Sequence, residues 1–181
     1  MAEQLVALID ANGELVQIVR SLNGIDTTGL TVIENVPEPP YEYEWDSVRE
    51  MFTPGPAIRR CQRLLDERID EIRGRYPAPG RYISEEYRIT AEQARAYRAA
   101  GYSGEVPPTV EAWALAAGIT AHEATDDILE RDEAYRSLLV QTRRARLLGK
   151  AQIAQATTPE QAHAILEAVI AALEDELPPP T

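Results

Sequence analysis

Read for its alternation of apolar and polar positions, the chain changes character once. Up to about residue 53 the apolar runs are short and β-like, and beyond Thr53-Pro54-Gly55-Pro56 they recur at spacings of three and four. Leu5 to Ile9 and Leu15 to Val19 are two such short runs, separated by Asp10-Ala11-Asn12-Gly13-Glu14. An Asn-Gly pair readily supplies the positive φ angles of a tight turn, so the pattern predicts an antiparallel hairpin. A second turn region at Asn23 to Gly29 leads into a third β-like run, Leu30 to Val36. Three strands with one apolar face need a cover, because an isolated sheet this small is marginal in water. Pro37, Pro39 and Pro40 then stop the pairing. After them Tyr41, Tyr43 and Trp45 alternate with Glu42, Glu44 and Asp46, a period of two that predicts three aromatics on one strand face and three carboxylates on the other. Two readings of the aromatics stand side by side. They close a small core, or they form an exposed partner-binding strip, since Tyr and Trp are enriched at interface hot spots.

The helical part begins with Ile58, Cys61, Leu65, Ile69 and Ile72, one face of a helix ending near Gly74, with Arg59, Arg60, Arg63 and Glu67 on its solvated side. Residues 75 to 89 carry Pro77, Pro79, Gly80 and three tyrosines and are predicted as a loop. Thr90 with Gln93 forms a capping box for a short helix that Gly101 ends, and Val110 to Ala117 form another, closed by Gly118. The stretch from Thr120 to Ala156 has no proline and no glycine before Gly149. It predicts one long amphipathic helix whose apolar positions include Ala124, Ile128, Tyr135, Leu138, Leu139, Leu147, Leu148 and Ile153. Thr120 and Glu123 make its capping box. All six of its acids precede Arg143, Arg144, Arg146 and Lys150, an order that complements the helix macrodipole. Thr158, Pro159 and Gln161 start a last helix with Ala162, Ile165, Leu166, Val169, Ile170, Leu173 and Leu177 on its face, and Pro178 to Pro180 cannot continue it.

Charge changes the picture in one respect. The net charge of −12 is uneven: residues 1 to 57 hold ten acids against two arginines, and residues 157 to 181 hold five acids and no base. Acidic ends around a near-neutral middle argue against sequence-independent nucleic-acid binding, which draws on a basic footprint. Cys61 is the lone cysteine, so no intrachain disulfide forms and a reducing cytoplasm is the simpler compartment. The opening residues lack the basic region and long apolar run of a secretion signal, and no stretch has the length of a membrane span.

The search for reactive chemistry turns up little. No phosphate loop, CxxC, HExxH or GxSxG motif occurs. His122 and His163 have no ligand at metal-binding spacing, and Cys61 reads as a buried thiol with no identifiable activating base. The pairs Asp126-Asp127 and Asp132-Glu133 are of a kind expected by chance among thirty acids. Arg143, Arg144 and Arg146 make a compact basic spot that reads either as helix-end charge paired to neighbouring helices or as a site for a phosphate or acidic partner. A hydrolase or transferase working through the scattered carboxylates is the weakest reading.

The order of parts resembles the tail-fibre assembly chaperones of contractile-tail phages and R-type pyocin-like particles. The residues that carry the likeness are Leu5-Val-Ala-Leu-Ile-Asp-Ala-Asn-Gly-Glu-Leu-Val16, Tyr43-Glu44-Trp45-Asp46, Val106-Pro-Pro-Thr-Val-Glu-Ala-Trp113, Ala117-Gly-Ile-Thr-Ala-His-Glu-Ala124, Ile128-Leu129 and Arg144-Ala-Arg-Leu147. It covers most of the chain outside residues 58 to 105 and is diffuse, with no short signature. The resemblance implies a non-enzymatic chaperone of the bacterial host cytoplasm that binds the distal C-terminal part of a tail-fibre polypeptide and assists its folding or trimerisation. It implies no cofactor; the residues themselves point to no metal, no nucleic acid and no membrane, and the alternating aromatics Tyr41, Tyr43 and Trp45 are the partner-binding candidates. The alternative is a structural tail component or adaptor that remains in the assembled particle. For architecture the expectation is α+β, with a β domain over residues 1 to 53 and a helical domain over 54 to 181. In it the long helix packs against the helices starting near Ile58 and Thr158.

Overall fold

The computed structural model describes residues 5–76 and 83–177. Five short strands precede five helices, so the class is α+β: β1 (Val6–Ile9), β2 (Leu15–Val19), β3 (Thr31–Glu34), β4 (Glu44–Asp46), β5 (Met51–Thr53), then α1 (Gly55–Gly74), α2 (Ile83–Ala99), α3 (Pro108–Ala117), α4 (Ala121–Ile153) and α5 (Pro159–Glu176). The changeover from strand to helix comes at Pro54, where the sequence pattern changes period. The chain forms two compact units, Met1–Glu67 with Arg146–Ala171 and Arg68–Ala145 with Ala172–Thr181, and the divisions fall inside α1, α4 and α5.

In the first unit the predicted hairpin is present. Asp10 organises its turn, its Oδ1 accepting from the backbone N–H of Asn12 (2.8 Å) and of Glu14 (3.0 Å), while Gly13 takes φ +82°. The register slips between Leu8↔Gln17 and Ile9↔Leu15, a bulge beside the turn. β3 pairs antiparallel on the other side of β1, giving the order β2-β1-β3. The first strand is therefore central, and Ala7, Leu8 and Ile9 are buried on both of its faces.

β4 and β5 form a separate two-stranded hairpin that the sequence pattern did not separate from the first sheet. Asp46 Oδ1 accepts from the N–H groups of Val48 and Arg49, both at 3.0 Å, and Glu50 sits at φ +52° to close the turn. Trp45 and Phe52 meet edge to face at 5.2 Å between centroids and cap the cluster of Leu5, Ala7, Ile9 and Val36. The cover that the small sheet needs thus comes partly from its own chain.

On the helical side of this unit, α1 buries Ala57, Cys61 and Leu65, and α5 buries Ala162, Leu166 and Ile170. Gly149 of α4 lets the three helices meet: a Cβ there would lie 2.8 Å from Leu65 Cδ2 and 3.0 Å from Val169 Cγ1. The expected packing of the long helix on α1 and α5 is met at this point. Gln62 Nε2 donates to the Lys150 carbonyl at 3.1 Å, and Lys150 Nζ reaches Asp66 Oδ2 at 2.5 Å. Further along α4, Leu147 and Leu148 are exposed, so neither belongs to the core face predicted for them.

The second unit has its own core of Ala94, Val110, Ala114, Ala124 and Leu129 from α2, α3 and α4. Gly101 and Gly118, both at φ +68°, end α2 and α3 as predicted. Thr120 and Glu123 form the predicted box: Thr120 N–H donates to Glu123 Oε2 at 2.9 Å and Glu123 N–H to Thr120 Oγ1 at 3.2 Å. The expected start of α2 is wrong. α2 begins at Ile83, so Thr90 lies inside the helix and caps nothing, and the part of the expected loop from 83 to 89 is helical. Residues 77–82 of that loop lie outside the described residues. Arg88 bonds Glu85 and Glu92 at three- and four-residue spacing, a local support for helix that prolines and tyrosines upstream had masked. Gln93 is used elsewhere, its Oε1 accepting from Thr109 Oγ1 at 2.8 Å. On α4 in this unit Ala124, Leu129 and Leu138 are buried, together with Thr125 and Thr142, whose hydroxyls donate to backbone carbonyls four residues back. Tyr135 and Leu139 are exposed, against expectation.

Candidate functional site

Tyr41, Tyr43 and Trp45 do not share one strand face. A 3-10 turn over Pro40–Glu42 places Tyr41 outside any strand, where it is 71 % exposed, and extended chain resumes only at Tyr43. The three prolines explain the change, since proline at the start of a turn presets φ and donates nothing to a strand ladder. Tyr43 is half-buried, and burial with Glu160 and Glu42 nearby raises its hydroxyl pKa. Trp45 is also half-buried and faces the sheet: its Nε1–H donates to the Gly13 carbonyl at 2.8 Å, joining the two hairpins. Of the two sequence readings, core closure describes Trp45.

The carboxylates between these aromatics are engaged as well. Glu44 takes a two-point bond from Arg59, at 3.0 and 2.9 Å, and Glu42 binds Arg60 at 2.5 Å. The Arg59 hydrogen bond holds the Glu44 carboxyl below its ordinary range. The Glu44 carboxylate lies in the space that Gly55 leaves, where a Cβ would overlap it unless the side chain shifted. The segment is thus strapped to α1 through two arginines that sequence periodicity placed on a merely solvated side. A separation of fifteen to eighteen residues across a change of structure left no local signal for the pairing.

Cys61 gains a neighbour that the sequence did not reveal. His163 Nδ1 of α5 lies 3.4 Å from Cys61 Sγ, across 102 residues of chain. The thiol has no solvent exposure, and burial pushes its pKa up, with Arg60 opposing. A protonated thiol donates S–H to Nδ1, which requires the Nε2–H tautomer of the imidazole. Reactive cysteines sit where a thiolate is favoured and reachable; this one is shielded and held neutral.

Three of the four acids in the α4 pairs are engaged in the second unit. Asp126 accepts from the Tyr102 hydroxyl (2.7 Å), Asp127 from Trp113 Nε1 (2.7 Å) and Arg131 (3.0 Å), and Asp132 binds both Arg95 and Arg136. The bond to Asp126 raises the Tyr102 pKa, and the Tyr102 ring rests on His122 at 3.8 Å. Arg95, Arg98, Leu129, Glu130 and Glu133 line an open hollow of about 470 Å³ there. Of the basic spot, Arg146 turns toward Asp66 (3.9 Å), while Arg143 and Arg144 are exposed without an ion-pair partner among the described residues. No group of three or more His, Cys, Asp or Glu converges to hold a metal ion among the described residues, and no described helix is long and apolar enough to cross a membrane.

What the first unit offers a partner is backbone. Because β1 is central, β2 and β3 each keep one outer edge that no other described strand covers. Unpaired N–H and C=O groups of this kind accept an added strand. Around them the chain is strongly acidic, and Val16 on β2, Tyr41, Val48 and Met51 are exposed apolar side chains. No protein-family model, no curated protein and no solved structure matches the chain.

Proposed function

We propose that the chain is a non-enzymatic assembly chaperone that holds a tail-fibre polypeptide, through its distal C-terminal part, during folding or trimerisation in the bacterial host cytoplasm. The observation that carries the reading is the three-stranded sheet with β1 in the middle, so that the outer edges of β2 and β3 pair with no other described strand. Fibre trimers are rich in long-range β pairing, so they fold slowly and expose strand edges on the way. An open edge pairs with such a strand by main-chain bonds, which suit a client before its side chains have packed. The likeness of the opening hairpin and of the Val106–Trp113 region to tail-fibre chaperones supports the choice of client. Tyr41, the most exposed of the three aromatics, supplies side-chain contact, and Trp45 ties its segment to the first hairpin.

The test is co-expression of a cognate fibre gene with and without this chain. The expected result is a large fall in soluble trimer when the chain is omitted, and a partial fall with Tyr41→Asp, whose thermal stability should match the wild type. Equal trimer yields with and without the chain overturn the proposal.

A further inference from the structure

The two outer edges of the three-stranded sheet are not equivalent. Along an antiparallel strand the N–H and C=O of one residue point to one neighbour, and those of the next residue point to the other. Two bonds beyond the ladders fix the directions on β1. The Asp10 N–H donates to the Glu14 carbonyl at 2.9 Å, toward β2, and the Leu5 carbonyl accepts from the Val36 N–H at 3.4 Å, toward the β3 side. By alternation Ala7 and Ile9 then face β3, while Val6 and Leu8 face β2. On β3 the residues bonded to β1 are therefore Ile33 and Thr31, the partners of Ala7 and Ile9. Val32 and Glu34, opposite Leu8 and Val6, turn their own N–H and C=O groups outward.

On β2 the same reasoning leaves less. Gln17 and Val19 bond to Leu8 and Val6, so within the regular part of the strand only Ile18 points outward. Val16 is the extra residue of the bulge, since Gln17 faces Leu8 and Leu15 faces Ile9. A bulge bends the edge and interrupts the spacing that an incoming strand must match. The second hairpin also reaches the turn leading into β2, where Trp45 Nε1–H meets the Gly13 carbonyl. β3, by contrast, runs against β1 from Thr31 to Glu34 without a shift of register. Its two outward residues lie about 6.8 Å apart, the repeat of a regular antiparallel ladder.

We infer that β3, and not β2, takes an added strand, with the backbones of Val32 and Glu34 as docking points for an extended, β-branched segment flanked by basic side chains. This rests on the proposed function, in which a sheet edge holds the client, and it adds which edge and what kind of strand. Each outward residue offers one donor and one acceptor, so the main-chain contact tolerates many sequences. Charge narrows the choice. Glu34 ends the strand, Asp26 and Glu38 flank it along the chain, and residues 1 to 57 hold ten acids against two arginines. An acidic segment is repelled there and a basic-flanked one is attracted. Val32 and Ile33 are themselves β-branched, and residues of that kind pack well against one another across strands.

The probe is the blocked peptide acetyl-Lys-Thr-Val-Thr-Val-Thr-Lys-amide, titrated into the full isotope-labelled chain. Amide exchange followed by NMR should slow about fivefold or more at Val32 and Glu34 and stay unchanged at Val16 and Ile18. That measurement reads the edge without any substitution. Glu34→Pro removes an outward donor at an exposed position where no bond to β1 is lost, and it should weaken peptide binding about tenfold or more. Glu34→Gln keeps the donor and removes only a surface charge, so it should weaken binding about threefold at most. Protection at Val16 and Ile18 instead, protection at neither edge, or equal binding by Glu34→Pro and the wild type overturns the inference. Co-expression with a cognate fibre separates this from the function on which it rests. A gain in soluble trimer that Glu34→Pro retains in full sinks the β3 assignment and leaves the chaperone reading standing. No gain with the wild type removes the chaperone reading, while peptide protection at Val32 and Glu34 would still support the choice of edge.

Discussion

Gly149 offers the sharpest quantitative test of the packing. In an exposed helix interior, Gly→Ala stabilises by about 0.8 to 1 kcal/mol through backbone propensity alone. At Gly149 the new methyl would stand 2.8 Å from Leu65 Cδ2 and 3.0 and 3.3 Å from the two γ-carbons of Val169. Comfortable carbon–carbon separation is about 3.5 to 4.0 Å, so three contacts are too close at once. Leu65 has a flexible tip but no exposure, and Val169, being β-branched, has one strongly preferred χ1 rotamer in a helix. Overpacking of this kind costs about 1 to 3 kcal/mol, which outweighs the propensity gain. Gly149→Ala should therefore destabilise by about 1 kcal/mol net, a fall of about 2 to 4 °C in Tm for a chain of this size. Thermal and urea unfolding followed by far-UV circular dichroism measure it. Val169→Ala removes two of the three clashing atoms, so the double variant should be more stable than the two single effects predict in sum. Gly74→Ala, whose Cβ meets nothing within 4 Å, is the control and should not destabilise. A Gly149→Ala protein more stable than the wild type, or strict additivity with Val169→Ala, would refute the three-helix meeting point.

Three further outcomes follow from the geometry. Thr120→Ala removes one side of the capping box and should cost about 1 kcal/mol in urea unfolding, whereas Thr90→Ala, inside α2, removes no cap and should change stability far less. The Cys61 thiol, buried and held protonated, should react with an aromatic disulfide reagent only as fast as the first unit opens; rapid native-state labelling at neutral pH would contradict its burial. Glu44 and Glu123 have carboxyl pKa values below the ordinary 4.5, so the unfolded chain takes up protons first. Their contribution is complete above pH about 4.5 and is lost as the pH falls through the lower folded values, giving a declining Tm below that point that Glu44→Gln should make shallower.

Much of the fold is local chemistry and was legible along the chain. The Asp10–Glu14 turn, the Thr120–Glu123 box, the Gly101 and Gly118 helix ends and the Thr158–Pro159 start each depend on residues within a few positions of one another, so the sequence alone determined them. It also placed the change from strand to helix, because side-chain period shifts from two to nearly four there. The readings that failed were those in which a local pattern competed with a distant partner. Glu42 and Glu44 looked like one face of a strand and are instead clasped by Arg60 and Arg59 of α1. Cys61 and His163 carry no shared signal, since a pairing across 102 residues exists only after α1 and α5 have packed. Leu139 and Leu147 matched a helical repeat, yet periodicity records only which residues share a side of a helix. Which side faces the core depends on what the rest of the chain brings against it, and on α4 Thr125, Thr142 and Gly149 are buried where the apolar pattern pointed elsewhere.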